Sequence, residues 1–222
     1  MKEFKIRASA CGQIMGVKGL GKTGENYVKT WLKEQIYDRK KEFTSKYTDK
    51  GLIVEDNSLD FIADELKIGF IVKNEQFYEN DFFQGTPDVV LKDLIIDVKN
   101  SWDCFSFPLL EDEIPNIDYF YQLQVYMALT GRKKAKLIYV LSDTPENLIE
   151  KEAYWWCKNN GYDELDADIY DAFVKKMTYS EIPNNLKMKI FDIDYDEKVI
   201  EKIKERVLEC RNLIKSYDLR LK

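Results

Sequence analysis

Apolar residues recur along the chain at two spacings, one typical of helices and one typical of strands. Spacings of three and four residues predict helices at 8–16, 24–47, 52–68, 119–131 and 196–217, with two more within 146–178. Alternating or continuous apolar runs predict strands at 69–73, 75–83, 134–142 and 188–195, and a hairpin at 85–99. This order predicts an α/β (α+β) fold with one mixed sheet flanked by helices and a helical C-terminus, and places residues 1–222 in a single domain.

The predicted hairpin carries charged residues among valines and isoleucines. If residues 92–93 form its two-residue turn, Asp88 faces Asp97 across the hairpin, and the period of two puts Lys99 on the same face as Asp97. Opposed side chains have their Cβ atoms about 4.5–5.5 Å apart, where like charges destabilise the pair. The two aspartates therefore either lie on a solvated face of the hairpin or hold a cation between them.

The second of these alternatives points to a specific chemistry. Mg²⁺ and Mn²⁺ take oxygen ligands and are commonly held by one or two carboxylates together with substrate phosphate. Such an ion stabilises charge on the phosphate and activates a water molecule, while a neighbouring lysine positions that water or neutralises the pentacovalent phosphate. Asp88, Asp97 and Lys99 are thus candidates for phosphodiester hydrolysis with one or two Mg²⁺ or Mn²⁺ ions.

Two further residues are candidates for the same site. Glu55 lies in an otherwise apolar turn of the helix predicted at 52–68, where it is either a third carboxylate or a surface residue. Gln122 and Gln124 are two residues apart, which is about 200° around a helix, so at most one of them faces the site. Gln122 shares a helix face with Tyr119 and Tyr126 and is the candidate, whereas Gln124 is expected to be a packing or surface amide.

The composition excludes several classes of function. The chain has no histidine, so a Ser-His-Asp triad, a histidine-ligated zinc and a histidine general base are ruled out. A net charge of −6 argues against a generally basic nucleic-acid binder. The four cysteines are far apart and suggest reduced thiols. With neither a long apolar run nor a signal-peptide core, the chain is expected to be cytoplasmic and not to contact a membrane.

One segment matches a competing motif. Residues Gly16–Thr23 fit the pattern G-x-x-x-x-G-K-[ST] of phosphate-binding loops, which would make the protein a nucleotide-driven switch or motor. That pattern binds phosphate only where it follows a buried strand and opens a helix. The preceding residues ASACGQIM have helical rather than strand character, so Thr23 is expected to be a helix N-cap instead.

The order of the motifs resembles a known family. Pro87-Asp88 followed by Asp97-Val98-Lys99 resembles the PD-(D/E)xK nuclease signature, and four more segments complete the similarity: RASACGQIM (7–15), KGLIVEDNSLDF (50–61), SWDCFSFP (101–108) and DYFYQLQVYMALTG (118–131). Together they resemble the phage exonucleases of the lambda-exonuclease type, also called YqaJ-like viral recombinases. The resemblance implies a restriction-endonuclease-like core in a phage- or prophage-encoded enzyme. Such an enzyme digests the 5′ strand at double-stranded DNA ends, leaves 3′ overhangs for a single-strand annealing protein, and often forms a ring-shaped trimer.

The same resemblance implies roles for individual residues. The metal ligands would be Glu55, Asp88, Asp97 and the backbone carbonyl of Val98. Lys99 would be the catalytic lysine, and Gln122 would lie near the attacking water. Near the 5′ end of the DNA the resemblance implies Ser9, with either Arg7 or Lys2 as the contact to a 5′ phosphate. The family frequently has glutamate where this chain has Asp97, so the carboxylate here reaches one methylene less far.

Other contacts to DNA and other functions remain open at this level. Arg132, Lys133 and Lys134 form a basic cluster after the helix of Gln122 and are candidates for phosphate contacts, or they only increase solubility. Trp102, Phe105 and Phe107 either form a wall against the substrate or belong to the core. A PD-(D/E)xK endonuclease, a RecB-like nuclease module and a DNA-binding module without catalysis are the alternatives to an exonuclease.

Overall fold

The computed structural model describes residues 2–41 and 46–221 and shows mixed sheets flanked by helices, with a helical C-terminus. The strands are β1 (Ile6–Arg7), β2 (Tyr78–Glu79), β3 (Phe83–Gly85), β4 (Val89–Val90), β5 (Ile95–Asn100), β6 (Lys134–Val140) and β7 (Met188–Asp194). The α-helices are α1 (Gly21–Tyr37), α2 (Lys46–Leu66), α3 (Ile117–Thr130), α4 (Glu146–Asn159), α5 (Ala167–Met177) and α6 (Glu197–Leu221). Two 3₁₀ helices, Ala8–Ile14 and Asn184–Leu186, complete the described elements.

The central sheet has four strands in the order β4-β5-β6-β7. Strands β5 and β6 are parallel, while β4 and β7 run antiparallel to their neighbours. A second, three-stranded sheet has the order β1-β3-β2 and pairs the N-terminal segment with residues 78–85. The predicted mixed sheet flanked by helices is confirmed, whereas the small second sheet was not predicted because its strands are only two or three residues long.

The two faces of the central sheet pack against different helices. Ile95 and Leu137 belong to the larger core, which also contains Leu123 of α3, Val28 of α1 and Val207 of α6. On the opposite face, a smaller core joins Ile96, Val98 and Ile138 to Leu59 and Ile62 of α2. Strand β5 is therefore covered on both faces by apolar side chains.

The hairpin has the predicted register. Val89 pairs with Ile96 and Val90 pairs with Ile95, and the Leu91 N–H donates to the Leu94 carbonyl at 2.9 Å. Continuing the pairing by one residue places Asp88 opposite Asp97.

The strand predicted at 69–73 is wrong. The described chain has no regular strand there, and the segment is attached to the hairpin by Asn74 instead. The Asn74 N–H donates to the Asp88 carbonyl at 2.7 Å, and its side-chain amide donates to the Pro87 carbonyl at 2.9 Å. Both hydrogen bonds come from Asn74 alone, so the segment is attached to the hairpin at one residue and does not form a strand ladder.

Helix boundaries differ from the predicted ones mainly at N-termini. Helix α1 begins at Gly21 with Leu20 as its N-cap, so Thr23 is not a cap. The first 3₁₀ helix has Arg7 at its N-cap position. Helix α3 ends where predicted, at Gly131, whose positive φ of 74° suits glycine.

The phosphate-binding-loop interpretation lacks its structural context. The residues before Gly16 form a 3₁₀ helix and not a buried strand. The Gly16 carbonyl accepts a hydrogen bond from the Arg206 guanidinium of α6 at 3.4 Å. The loop therefore connects two helices and packs against a third.

Helices α4 and α5 pack against each other and join the sheet through Trp102, Leu148, Ile149 and Met177. Within the described part of the chain, no helix combines the length and apolar character needed to cross a membrane.

Candidate active site

The charged residues of β5 face α3. Asp97 is fully buried, and its Oδ1 atom accepts a hydrogen bond from Nε2 of Gln122 at 3.0 Å. Its Oδ2 atom lies 2.6 Å from Nζ of Lys99. Lys99 Nζ also lies 4.7 Å from the centre of the Tyr119 ring, a cation–π distance. These contacts bring Gln122 of α3 together with Asp97 and Lys99 of β5.

Asp88, the residue directly before β4, completes the charged group. Its Oδ2 atom accepts a hydrogen bond from the Val98 N–H at 2.8 Å. The antiparallel pairing of β4 with β5 ends at Val89. Beyond that point the Val98 N–H is bound by the side chain of Asp88. Burial raises the pKa of Asp88 above the usual aspartate range, and the negative charge of Asp97 raises it further.

Lys99 supplies the compensating positive charge. Burial alone would lower its pKa, but the carboxylates of Asp97 and Asp88 outweigh burial, and the pKa of Lys99 is raised. The lysine is therefore an ammonium at neutral pH. Paired charges of this kind are tolerated inside proteins because each satisfies the other.

Gln122 is held in place from two sides. Besides Asp97, its Nε2 atom donates to the hydroxyl of Tyr126 at 3.1 Å. Burial raises the pKa of Tyr126 well above its usual range, so this hydroxyl stays neutral. Gln124 points elsewhere, because its amide donates to the Asp194 carbonyl at 2.7 Å and accepts from the Asp196 N–H at 2.9 Å. The predicted difference between the two glutamines matches these contacts.

Glu55 lies beside this group on α2 and contributes to the raised pKa of Asp88. Its Oε2 atom is 2.5 Å from Nζ of Lys73. Lys73 was not predicted from the sequence. It lies in an irregular segment 18 residues after Glu55, and no local pattern indicates which carboxylate it contacts.

The carboxylates of Asp88 and Asp97 are the main donors that would hold a divalent cation. Within residues 2–41 and 46–221, no three acidic or cysteine side chains are arranged as a ready metal site, and the Glu55 carboxylate is paired with Lys73. Asp97 Oδ2 is buried, and among the described groups it accepts no hydrogen bond of regular geometry, although Lys99 Nζ lies close by. Two neighbouring carboxylates with an oxygen left over fit a hard cation of the Mg²⁺ type.

The candidates for DNA contact fall into two regions. Lys2, Arg7 and Ser9 are exposed near the N-terminus, with Arg7 and Ser9 at the start of the first 3₁₀ helix. Arg7 forms a side-chain hydrogen bond with Tyr27, which raises the pKa of the guanidinium.

This N-terminal region touches the site through Gly85. A Cβ atom built on Gly85 would lie 2.8 Å from a ring carbon of Tyr126 and 3.1 Å from the Cβ of Ala8. Only glycine lets the segment that leads to Asp88 approach both residues this closely.

The basic cluster Arg132, Lys133 and Lys134 lies at the other end of the sheet. Arg132 is half-buried, and its guanidinium donates to the carbonyls of Leu91 and Thr130 at 3.1 and 2.5 Å. It thereby ties the hairpin turn to the end of α3. Lys133 Nζ lies 3.4 Å from the centre of the Tyr195 ring, while Lys134 is exposed at the start of β6.

The aromatic residues after β5 divide between core and surface. Trp102 and Phe107 are buried, as expected of core residues, whereas Phe105 is 88% exposed.

Comparison with known proteins identifies similar structures. No protein-family model matches the chain, and no curated protein sequence matches it. The structure of a phage-related exonuclease from Haemophilus somnus 129PT is similar with a TM-score of 0.82 and 26% identity, over 100% of this chain and 98% of that one. The alkaline exonuclease LHK-Exo from Laribacter hongkongensis has a TM-score of 0.67 and 14% identity, over 98% of this chain and 91% of that one. LHK-Exo in complex with dAMP gives the same TM-score of 0.67 with 15% identity.

Proposed function

The chain has the fold of the phage-related and alkaline exonucleases, and we propose that it is a metal-dependent DNA exonuclease. The observation that carries the proposal is the pairing of β4 with β5, which sets Asp88 opposite Asp97 with Lys99 and Gln122 against the second carboxylate. A buried group of two carboxylates and one ammonium is costly for stability, so it indicates a functional site. The similar proteins are exonucleases by name, and the phosphodiester chemistry expected from the hairpin agrees with that activity.

The metal ligands we propose are Asp88 and Asp97, with the Val98 carbonyl and Glu55 completing the oxygen set. One or two Mg²⁺ or Mn²⁺ ions bound there would neutralise charge on the phosphate and lower the pKa of a bound water molecule. Hard oxygen donors favour these ions, and the absence of histidine from the whole sequence disfavours zinc.

The remaining residues orient the reacting groups. We expect Lys99 to donate to an oxygen of the scissile phosphate or to the attacking water, because its side chain is 22% exposed while that of Asp97 is fully buried. Gln122 fixes the orientation of the Asp97 carboxylate through its 3.0 Å hydrogen bond. Tyr126 in turn fixes Gln122.

The finer activity that we propose is digestion of the 5′ strand from the ends of linear duplexes. It would leave 3′ overhangs for an annealing protein in phage-type recombination. Ser9 with Arg7 or Lys2 would contact the 5′ end, because Ala8 packs near Gly85 and Tyr126 and so places this segment next to the site. Arg132, Lys133 and Lys134 would contact phosphates farther along the duplex. A ring trimer would keep the enzyme on its substrate despite the net charge of −6.

The experiment compares DNA ends directly. Linear duplexes with a 5′ phosphate or a 5′ hydroxyl, and a closed circle, are incubated with Mg²⁺ and with EDTA, using Asp97→Ala as the inactive control. The expected result is Mg²⁺-dependent degradation of the linear DNA alone, faster from the 5′-phosphate end. Cutting of the circle would instead assign the protein as a PD-(D/E)xK endonuclease, and cutting in EDTA would reject the metal.

A further inference from the structure

Lys73 forms an ion pair with a candidate metal ligand, although the sequence gives no sign of it. Its Nζ atom lies 2.5 Å from Oε2 of Glu55. The lysine side chain is 44% exposed and that of Glu55 is 16% exposed, so the pair lies at the mouth of the charged group rather than inside it.

The backbone next to Lys73 is fixed to the loop that carries Asp88. Asn74 bonds to the main-chain carbonyls of both Pro87 and Asp88, at 2.9 and 2.7 Å. Its amide also donates to the Gln76 carbonyl at 3.0 Å. Lys73 is therefore held beside Asp88 by its neighbour in the chain, while its own long side chain remains partly in solvent.

The ammonium of Lys73 faces several carboxylates. The hydrogen bond with Glu55 raises its pKa, and the charges of Asp88 and Asp56 add to that increase. The positive charge of Lys73 therefore lies near the carboxylates that would bind a divalent ion. A divalent cation that took Glu55 as a ligand would therefore compete with Lys73.

We propose that Lys73 is a phosphate-binding residue of the active site, which pairs with Glu55 in the metal-free protein and turns to a phosphate of the DNA when a divalent cation takes Glu55. This inference rests on the proposed nuclease function. The exchange replaces one oxygen partner of the ammonium by another and keeps the site near charge balance, because the metal brings positive charge and the substrate brings negative charge.

The contrast with Lys99 supports the exchange. The Lys99 ammonium lies 2.6 Å from a carboxylate oxygen of the fully buried Asp97, so moving it away would leave an unpaired charge inside the protein. Lys73 is partly exposed, and ion pairs of that kind are weak because water solvates both partners. Of these two lysines, Lys73 is the one that is free to move.

The test begins with metal binding in the absence of DNA. Lys73→Met keeps the length of the side chain and removes its charge, while Lys92→Met, at the exposed hairpin turn, makes the same change of net charge away from Glu55. The affinity for Mn²⁺ is measured by electron paramagnetic resonance. Loss of the competing ammonium is expected to tighten Mn²⁺ binding about two- to fivefold in Lys73→Met, as removal of a weak ion pair allows. Lys92→Met is expected to bind Mn²⁺ like the wild type.

The second measurement is DNA binding with Ca²⁺ in place of Mg²⁺, at several salt concentrations. A lysine that contacts one phosphate contributes about 0.9 to the slope of log affinity against log salt. Lys73→Met is expected to lower the slope by about that amount, and Lys73→Arg is expected to keep it. Far-UV circular dichroism of all variants checks that the fold is retained.

Two results would overturn the assignment of Lys73. One is Mn²⁺ affinity in Lys73→Met equal to or weaker than that of the wild type, and the other is an unchanged salt slope. If the wild type degrades linear DNA, either result would reject only the role of Lys73 and leave the proposed nuclease function standing. A wild type that neither binds Mn²⁺ nor degrades DNA would reject the proposed nuclease itself, and the role of Lys73 with it.

Discussion

At the scale of single residues, the site consists of charges that stabilise one another. Asp97 has no exposed surface and is tolerated because Lys99 and Gln122 contact its two oxygens. Asp88 lies close enough for its pKa to respond to Asp97. Removing any one member therefore changes the energy of those that remain.

Loss of Lys99 is expected to destabilise the metal-free protein. Lys99→Met leaves Asp97 buried without its cation, and breaking a buried pair in this way costs about 3–5 kcal/mol. Urea unfolding in EDTA measures the change. The double variant Asp97→Asn/Lys99→Met is expected to regain part of the loss, since no unpaired charge remains. A double variant less stable than Lys99→Met would contradict this account of the pair.

The stability of the metal-free protein is expected to depend on Asp88 through pH. Because the folded state raises the pKa of Asp88, folding favours the protonated carboxyl. The resulting stabilisation is complete below the ordinary aspartate pKa, and it is lost as the pH rises through the higher folded-state pKa. Urea midpoints in EDTA should fall as the pH increases from about 5 to about 8. Asp88→Asn should flatten this fall, and a variant with the same pH dependence as the wild type would argue against the shift.

At the scale of elements, the hairpin and α3 set the positions of the site residues. The register of β4 on β5 places the two aspartates opposite each other. The approach of Gly85 to Tyr126 fixes how closely the loop before Asp88 packs on α3.

A side chain at Gly85 is expected to disturb both stability and activity. The Cβ of Gly85→Ala would lie 2.8 Å from the Tyr126 ring, and overpacking of this kind costs about 1–3 kcal/mol. The activity should fall as well, since Tyr126 positions Gln122. Gly51→Ala is the control, because that glycine lies in α2 and its added Cβ meets nothing within 4 Å.

The two alanine variants should therefore shift stability in opposite directions. Gly51→Ala is expected to stabilise the protein by about 0.5–1 kcal/mol, since alanine favours helix more than glycine does. Thermal unfolding compares the two variants. Equal effects at both positions would show that the contact of Gly85 with Tyr126 is not tight.

At the scale of the whole molecule, one buried lysine joins α2 to the ends of two strands. The ammonium of Lys50 donates to the carbonyls of Ser101, Trp102 and Ser142 at 2.9, 3.0 and 2.8 Å. Burial lowers its pKa to about 8, but the three carbonyls match the three N–H groups of the charged form. Lys50 thus connects the helix of Glu55 to the loop that follows β5.

Lys50→Met is expected to reduce global stability. It leaves two buried carbonyls and one partly buried carbonyl without their donor, and a loss of about 2–4 kcal/mol is expected from unsatisfied polar groups in a core. Lys175→Met, at an exposed position in α5, is the control and should change stability by less than about 0.5 kcal/mol. The measurement is urea unfolding, and equal midpoints for the two variants would exclude this structural role of Lys50.

Local patterns explain which parts of the structure could be predicted. The register of the hairpin follows from its two-residue turn, and successive side chains of a strand point to alternate faces of the sheet. The opposition of Asp88 and Asp97 could therefore be predicted from the 16 residues 85–100 alone. Helical geometry likewise separates Gln122 from Gln124. The strand predicted at 69–73 is absent, and the chain after it is held to a distant segment, the hairpin, through Asn74. The N-cap predicted at Thr23 was wrong because α1 begins two residues earlier, at Gly21.

The sequence by itself determined the charged residues of the candidate site, the face of the hairpin that they share and the chemistry they suit, because these depend on residue type and short-range periodicity. Only the tertiary structure decided what surrounds them. It pairs Lys73 with Glu55, and it brings Lys50 to the backbone after β5. It also brings Arg132 to the backbone of the hairpin turn. Those contacts join residues far apart in the chain, and no local spacing encodes which of the many lysines and arginines meets which oxygen.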